Sequence, residues 1–210
     1  MLAPMIAVLD YGIGNLRSAQ KALQRVGADA VLTDDVAVVR AAEAVVLPGV
    51  GHFGRCMGAL REAGLEDVAR EAIEGGTPFL GICVGMQMLY EGSEEDPDVK
   101  GMGVLPGMVR LLPDGVKRPQ MQWNLLDHAP GSPLLAGLED PVWVYFVHSY
   151  APGHSPDSRA TDVVATCDYG GPVVAAVERD RLWATQFHPE KSGAAGLRIL
   201  ANFVAASHRR

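Results

Sequence analysis

Apolar residues in the first part of the chain come in short unbroken runs: Ile6 to Leu9, Ala30 to Leu32, Ala44 to Leu47 and Phe79 to Ile82. Continuous runs of that length predict strands buried on both faces, the signature of a parallel sheet. Between them the spacing changes. Leu16, Ala19, Leu23 and Val26 recur at helical intervals, which predicts a helix over 16–26 with Asn15 in the capping position. Helical patterning resumes after Gly51 and runs to about Glu74, interrupted near Gly64 and ended by Gly75-Gly76. The order β-α-β-β-α-β-α predicts an α/β fold: an open, mostly parallel central sheet flanked by helices.

The middle of the chain reads differently. Glu91, Glu94, Glu95, Asp96 and Asp98 crowd one polar stretch, expected as a solvated loop. From Gly101 to Asn124 short strand-like pieces alternate with Gly and Pro, which predicts antiparallel or irregular structure. Pro119 to Asn124 reads as turn-like, with Trp123 either a core filler or a partner contact. Val142 to Val147 is a strong strand ending in His148-Ser149-Tyr150. Ala151 to Ala160 reads as a loop. Val163 to Thr166, Val173 to Val177 and Leu182 to Phe187 follow as strands. Leu197, Leu200, Ala201 and Val204 mark a closing amphipathic helix from about Gly193.

A length of 210 residues fits one domain, taken here as 1–210. The net charge is −7 and no basic run stands out, which argues against a nucleic-acid partner. No stretch reaches the length of a membrane span. The apolar start is short, lacks a basic region and leads into a turn, so it reads as a first strand and not a signal peptide. The three cysteines, Cys56, Cys83 and Cys167, are too widely spaced for a disulfide framework or a metal-binding pair. A reducing cytoplasm and no metal or cofactor are expected. There is no internal repeat.

The chemistry concentrates at Gly81-Ile82-Cys83-Val84-Gly85. An apolar strand runs in and an apolar helix runs out, with a cysteine between two glycines. That is the sulfur form of the strained strand-to-helix turn that exposes a nucleophile. Alone, the pentapeptide is equally compatible with a buried core cysteine. Pro48-Gly49-Val50-Gly51 ends a core strand, where open α/β sheets place their sites, and its N–H groups could hold an oxyanion. In His188-Pro189-Glu190, proline keeps His188 out of helical geometry. Residues two apart in an extended segment face the same side, about 7 Å apart at the backbone. His188 and Glu190 thus read as base and orienter, with Cys83 as nucleophile. Gly12-x-Gly14 fails as a dinucleotide fingerprint, because Arg17 stands at the third glycine position.

Gly81 to Gln87 together with His188-Pro189-Glu190 resembles the class I, or triad, glutamine amidotransferases. Asp10 to Asn15, Pro48 to Gly51, Val147 to Tyr150 and His188 to Gly193 are similar to the glutaminase subunits of imidazole glycerol phosphate synthases. Two departures stand out: Gln122 where the resemblance would have glycine, and Val84 where it would have leucine. The resemblance implies a flavodoxin-like sheet and hydrolysis of glutamine to glutamate and ammonia. It implies that Val84, Val50 and Gly49 form the oxyanion hole, and that Gly51, Gln87, Glu95, Ser149 and Tyr150 bind substrate. Glu95 would pair with the α-amino group. It also implies a heterodimer with a cyclase/synthase subunit that receives the ammonia and makes imidazole glycerol phosphate and AICAR in histidine biosynthesis. Trp123 is the expected interface residue, and the loop from Pro48 to Gly51 is expected to flip with the partner. Three alternatives remain at this point: a glutaminase subunit serving pyridoxal phosphate synthesis, a cysteine peptidase, and a non-catalytic binding subunit of the same fold.

Overall fold

The computed structural model describes residues 3–128, 130–153 and 162–208. The elements follow in order: β1 (Met5–Leu9), α1 (Leu16–Arg25), β2 (Asp29–Thr33), α2 (Val36–Ala41), β3 (Ala44–Gly49), α3 (Phe53–Glu62), α4 (Leu65–Glu74), β4 (Phe79–Cys83) and α5 (Val84–Gln87). Then come β5 (Gly92–Ser93), β6 (Asp96–Lys100), β7 (Met108–Leu111), β8 (Gln120–Leu125), β9 (Asp127–His128), β10 (Trp143–His148) and β11 (Tyr150–Pro152). The chain closes with β12 (Val163–Asp168), β13 (Pro172–Arg179), β14 (Leu182–Thr185), a 3-10 turn (Pro189–Lys191) and α6 (Gly193–Ser207).

The main sheet has eight strands in the order β2-β1-β3-β4-β14-β13-β12-β9. From β2 to β14 all neighbours are parallel; β13, β12 and β9 complete the sheet antiparallel. The expected α/β architecture is therefore present. The reversal of direction along β2-β1-β3 has a structural consequence. Right-handed crossovers put α1 on one face and α2, α3 and α4 on the other. The contacts agree, with α1 against α6 and α4 against both α2 and α3. The parallel strands are apolar throughout because helices cover both faces; Phe79, Leu47, Ile6 and Leu9 are fully buried. Each such side chain contributes roughly 1.5–3 kcal/mol of burial.

Several expectations need correction. Helix α2 falls where no helix is expected; Asp35 caps it, its Oδ1 accepting from Ala37 N at 2.8 Å. The acidic stretch is not a plain loop: β5 and β6 pair antiparallel in a second sheet, ordered β11-β7-β5-β6. The segment 119–124 is not a turn. Residues Gln120–Leu125 form β8, paired along its length with β10. Gln122 stands opposite Phe146 on the regular ladder, so the departure there leaves the strand intact. Tyr150–Pro152 is strand rather than loop, paired with β7; the rest of that expected loop, from 154, lies outside the described residues. The break at Gly64 is where the pattern places it, in left-handed conformation between α3 and α4.

Candidate active site

Three strand ends build one cavity. β1 leads to Gly14 and Asn15, β3 to Val50 and Gly51, and β4 to Cys83 and Val84. All three are carboxyl ends of parallel strands, where doubly wound sheets hold ligands. His188, beyond β14, joins them. His148, Ser149 and Tyr150 close the far wall, and Glu95 and Lys191 reach the cavity from β6's hairpin and the 3-10 turn. The space is about 620 Å³, enough for an amino acid.

Cys83 has φ 55° and ψ −113°. A non-glycine residue in that region carries roughly 1–3 kcal/mol of strain, sustained only by its surroundings. The surroundings explain the flanking glycines. A Cβ on Gly85 would lie 1.9 Å from the Leu47 carbonyl oxygen, and one on Gly49 would lie 2.6 Å from Gly85 N. The elbow is thus pressed against the end of β3, and Gly85 on one side and Gly49 on the other permit the contact, while a Cβ on Gly81 would lie 3.0 Å from the Gly85 carbonyl oxygen. Helix α5 is a single short turn, and Val84 N–H, at its first position, has no carbonyl of its own helix to donate to. Val50 lines the cavity near it, while Gly49 lies one residue back, opposite Cys83 in the ladder.

His188 and Glu190 form a buried pair. Nδ1 and Oε1 are 2.8 Å apart, and the two side chains are 1% and 2% exposed. Burial alone would lower the imidazole's pKa; Cys83 and Glu190 outweigh it and raise the pKa to about 10. His188 therefore carries its proton at neutral pH, with Nδ1–H donated to Glu190. Among the described residues Nε2 has no hydrogen-bond partner, and it shares the cavity with Cys83. The segment is held from β10. His188 N donates to Tyr145 O at 3.0 Å. Ser192 Oγ donates to His188 O at 2.6 Å and accepts from Tyr145 N at 3.0 Å.

The expected substrate residues all line the cavity, but not all are free. Gln87 Nε2 donates to Tyr150 O at 2.8 Å and to Gln186 Oε1 at 3.0 Å, tying the elbow to the opposite wall. Glu95 Oε2 accepts from Phe53 N at 2.8 Å, at the start of α3. Ser149 O accepts from Leu112 N, and Tyr150 O also accepts from His148 Nδ1. Asn15 makes no capping bond; its Nδ2 donates to Glu190 Oε1 at 3.2 Å. Gln186, which the motif reading passes over, donates from Nε2 towards Cys83 Sγ at 3.7 Å. Its place two residues before His188 was the available signal. His148 is buried, and burial pushes its pKa down to about 4, against the Tyr150 carbonyl and with help from His188. It is neutral beside the charged His188.

Trp123 lies outside the cavity. It is 47% exposed on β8, edge-on to Tyr145 at 6.1 Å. Met121, Trp123 and Leu125 alternate along one face of β8, opposite Val147, Tyr145 and Trp143 of β10. Four of these six are large exposed apolar side chains: Met121, Trp123, Leu125 and Trp143. The stripe starts at the cavity mouth, where Val147 and Lys191 are wall residues.

Comparison with known proteins gives a consistent picture. The model of the glutamine amidotransferase class-I family matches residues 7–206. An imidazole glycerol phosphate synthase subunit HisH from Methanothermobacter thermautotrophicus is 50% identical over 95% of this chain and 98% of its own. One from Deinococcus radiodurans is 49% identical over 96% of this chain and 93% of its own. Among solved structures, PurLQS from Thermotoga maritima superposes with a TM-score of 0.77, at 21% identity over 97% of this chain and 99% of that one, a likeness of fold. With a strained cysteine elbow and a buried histidine-glutamate pair on one such sheet, and matches that run nearly end to end, the chain belongs to the class-I glutamine amidotransferase family, in the group of HisH subunits.

Proposed function

We propose that this chain hydrolyses glutamine to glutamate and ammonia, and that it delivers the ammonia to the synthase subunit of imidazole glycerol phosphate synthase in histidine biosynthesis. The observation that carries the reading is the buried His188–Glu190 pair sharing one cavity with Cys83 at its strained elbow. Relatives named as HisH, at 46–50% identity, favour this partner over the synthase of pyridoxal phosphate.

Cys83 Sγ, as thiolate, attacks the side-chain carbonyl carbon of glutamine. The carbonyl electrons move to oxygen, which Val84 N–H and the Gly49-Val50 loop stabilise; one such donor contributes about 3–4 kcal/mol. His188, already charged, gives its Nε2 proton to the amide nitrogen. The C–N bond breaks, ammonia leaves, and a thioester remains on Cys83. His188, now neutral, takes a proton from water, whose oxygen attacks the thioester; collapse returns thiolate and imidazolium and frees the γ-carboxylic acid, whose proton passes to solvent to give glutamate. Positioned proton transfer of this kind is worth roughly 10²–10⁴-fold. Glu190 holds the imidazole in one orientation throughout. Glu95 faces the substrate's α-amino group, and Gly51, Ser149 and Tyr150 enclose its backbone, while Gln87 keeps the wall in place.

The three buried free cysteines suit a reducing cytoplasm, and no helix among the described residues is long and apolar enough to cross a membrane. The exposed stripe on β8 and β10 is the proposed docking face for the synthase subunit, in a heterodimer. The test is glutamine hydrolysis by the full chain, with and without the synthase and its nucleotide ligand. Cys83→Ala is expected to abolish both hydrolysis and the thioester trapped by a glutamine analogue. Hydrolysis that survives this substitution in the reconstituted complex refutes the mechanism.

A further inference from the structure

We propose that Asn15 is a positioning residue of the triad, donating to the same Glu190 oxygen that orients His188. The inference rests on the glutaminase reading and deepens it. Asn15 and Glu190 are 175 residues apart in sequence and meet at 3.2 Å, Nδ2 to Oε1. The same Oε1 takes the His188 Nδ1 contact at 2.8 Å, while Oε2 has no partner among the described residues. One oxygen of a buried carboxylate thus carries both interactions that fix its rotamer. The amide is assigned by its neighbour: facing an acceptor-only carboxylate, it must present nitrogen.

Two observations set this contact apart from a casual one. Asn15 occupies the capping position of α1, where an asparagine side chain usually contributes about 1 kcal/mol by bonding the helix's own N–H groups. It makes no such bond, and its backbone sits at φ −83°, ψ 48°, away from the extended geometry of an ordinary cap. The side chain is spent on Glu190 instead. The donor's chemistry also fits. A lysine or arginine there would compete with His188 for the carboxylate's charge. A neutral amide holds the carboxylate without neutralising it, so the full charge remains for the imidazolium. The contact is held from behind, since both α1 and α6 pack on the 3-10 turn that carries Glu190.

The titratable groups lining the cavity beside Glu190 include His188 on its own segment, Cys83 at the elbow, His148 at the end of β10, Glu95 from the hairpin and Lys191 next in sequence. The helices packed on the turn carry Arg17, Lys21 and Arg25 on α1 and Arg198 on α6, none of which lines the cavity.

The test uses the full chain with its synthase partner, comparing wild type, Asn15→Asp and Asn15→Ala. Asn15→Asp keeps the shape and removes the donor. Hydrogen bonds to charged groups are strong enough that kcat is expected to fall about tenfold or more in both variants, with KM within about twofold. The introduced carboxyl donates only when it holds a proton shared with Glu190. The ratio of Asn15→Asp to wild-type kcat therefore rises as pH falls, whereas Asn15→Ala shows no such recovery. Thermal unfolding of each variant separates misfolding from lost positioning, and the isosteric Asn15→Asp decides the matter if Asn15→Ala fails to fold. Asn15→Asp equal to wild type at every pH, a loss confined to KM, or a kcat ratio flat with pH each overturns the role. A wild type that does not hydrolyse glutamine overturns the glutaminase reading, and this role with it. An active wild type beside an indifferent Asn15→Asp overturns the role alone.

Discussion

At the residue scale, glycine decides whether the nucleophile can stand where it does. Gly85 meets the Leu47 carbonyl so closely that a methyl group at 1.9 Å has nowhere to go. Gly85→Ala is expected to cost about 3 kcal/mol or more in stability, read by denaturant unfolding, and to remove glutaminase activity with it. Gly58, inside α3, is the control. A Cβ there meets nothing within 4 Å, so Gly58→Ala is expected to stabilise by about 0.5–1 kcal/mol. The same comparison explains what was legible at this scale. Cys83, His188 and Glu190 sit in short motifs whose spacing already encodes geometry. Asn15 does not. Local spacing makes it a helix cap, and only the approach of α1 to the turn after His188 turns its amide towards Glu190. Gln186 was hidden for a related reason. Its two partners, Gln87 and Cys83, belong to β4's elbow, which lies beside β14 in space and far from it along the chain.

At the scale of elements, the strands from β1 to β4, β10, and β12 to β14 were readable, and the short or exposed strands of the middle section were not. Strands buried on both faces announce themselves as apolar runs, as β1, β3 and β4 do. β6 and β8 are exposed on most of their length, so neither periodicity nor composition sets them apart from loops. β8 owes its form to its ladder with β10. That pairing raises four large apolar side chains to the surface beside the cavity, where a partner would cover them. Trp123 stands at the centre of the stripe, supported by Tyr145. Trp123→Ala is expected to weaken association with the synthase subunit at least about tenfold, since buried tryptophans dominate such interfaces. A titration showing unchanged affinity would remove this face from consideration.

At the scale of the whole molecule, two buried imidazoles of opposite character shape the response to pH. The His188 pKa is raised to about 10 in the folded chain, against about 6.5 when unfolded. Its contribution is complete below the unfolded value and is lost as pH rises through 10. The His148 pKa is lowered to about 4. A base kept neutral contributes fully above the unfolded value, and that contribution is lost as pH falls from about 6.5 towards 4. As far as these two groups decide it, stability peaks near neutrality and falls on both sides, by at most about 1.4 kcal/mol per pH unit for each proton. Unfolding measured from pH 4 to 10 checks this. His188→Gln should flatten the alkaline limb and leave the acid limb in place, and an unchanged alkaline limb would contradict the assignment.

Tyr145 has a consequence that reaches past any single state of the protein. Its ring belongs to the exposed stripe, while its C=O accepts from His188 N and its N–H donates to Ser192 Oγ, which in turn donates to His188 O. With the stripe as the docking face, the surface that selects a partner and the segment that carries the base are two sides of one residue. Lineages of this fold that adapt to a different synthase cannot redraw β10 freely, because a shift that suits the new partner also displaces the base. Inheritance of the partner and inheritance of the chemistry are thereby linked, and a change of allegiance is easiest through side chains on β8, which β10 separates from the triad.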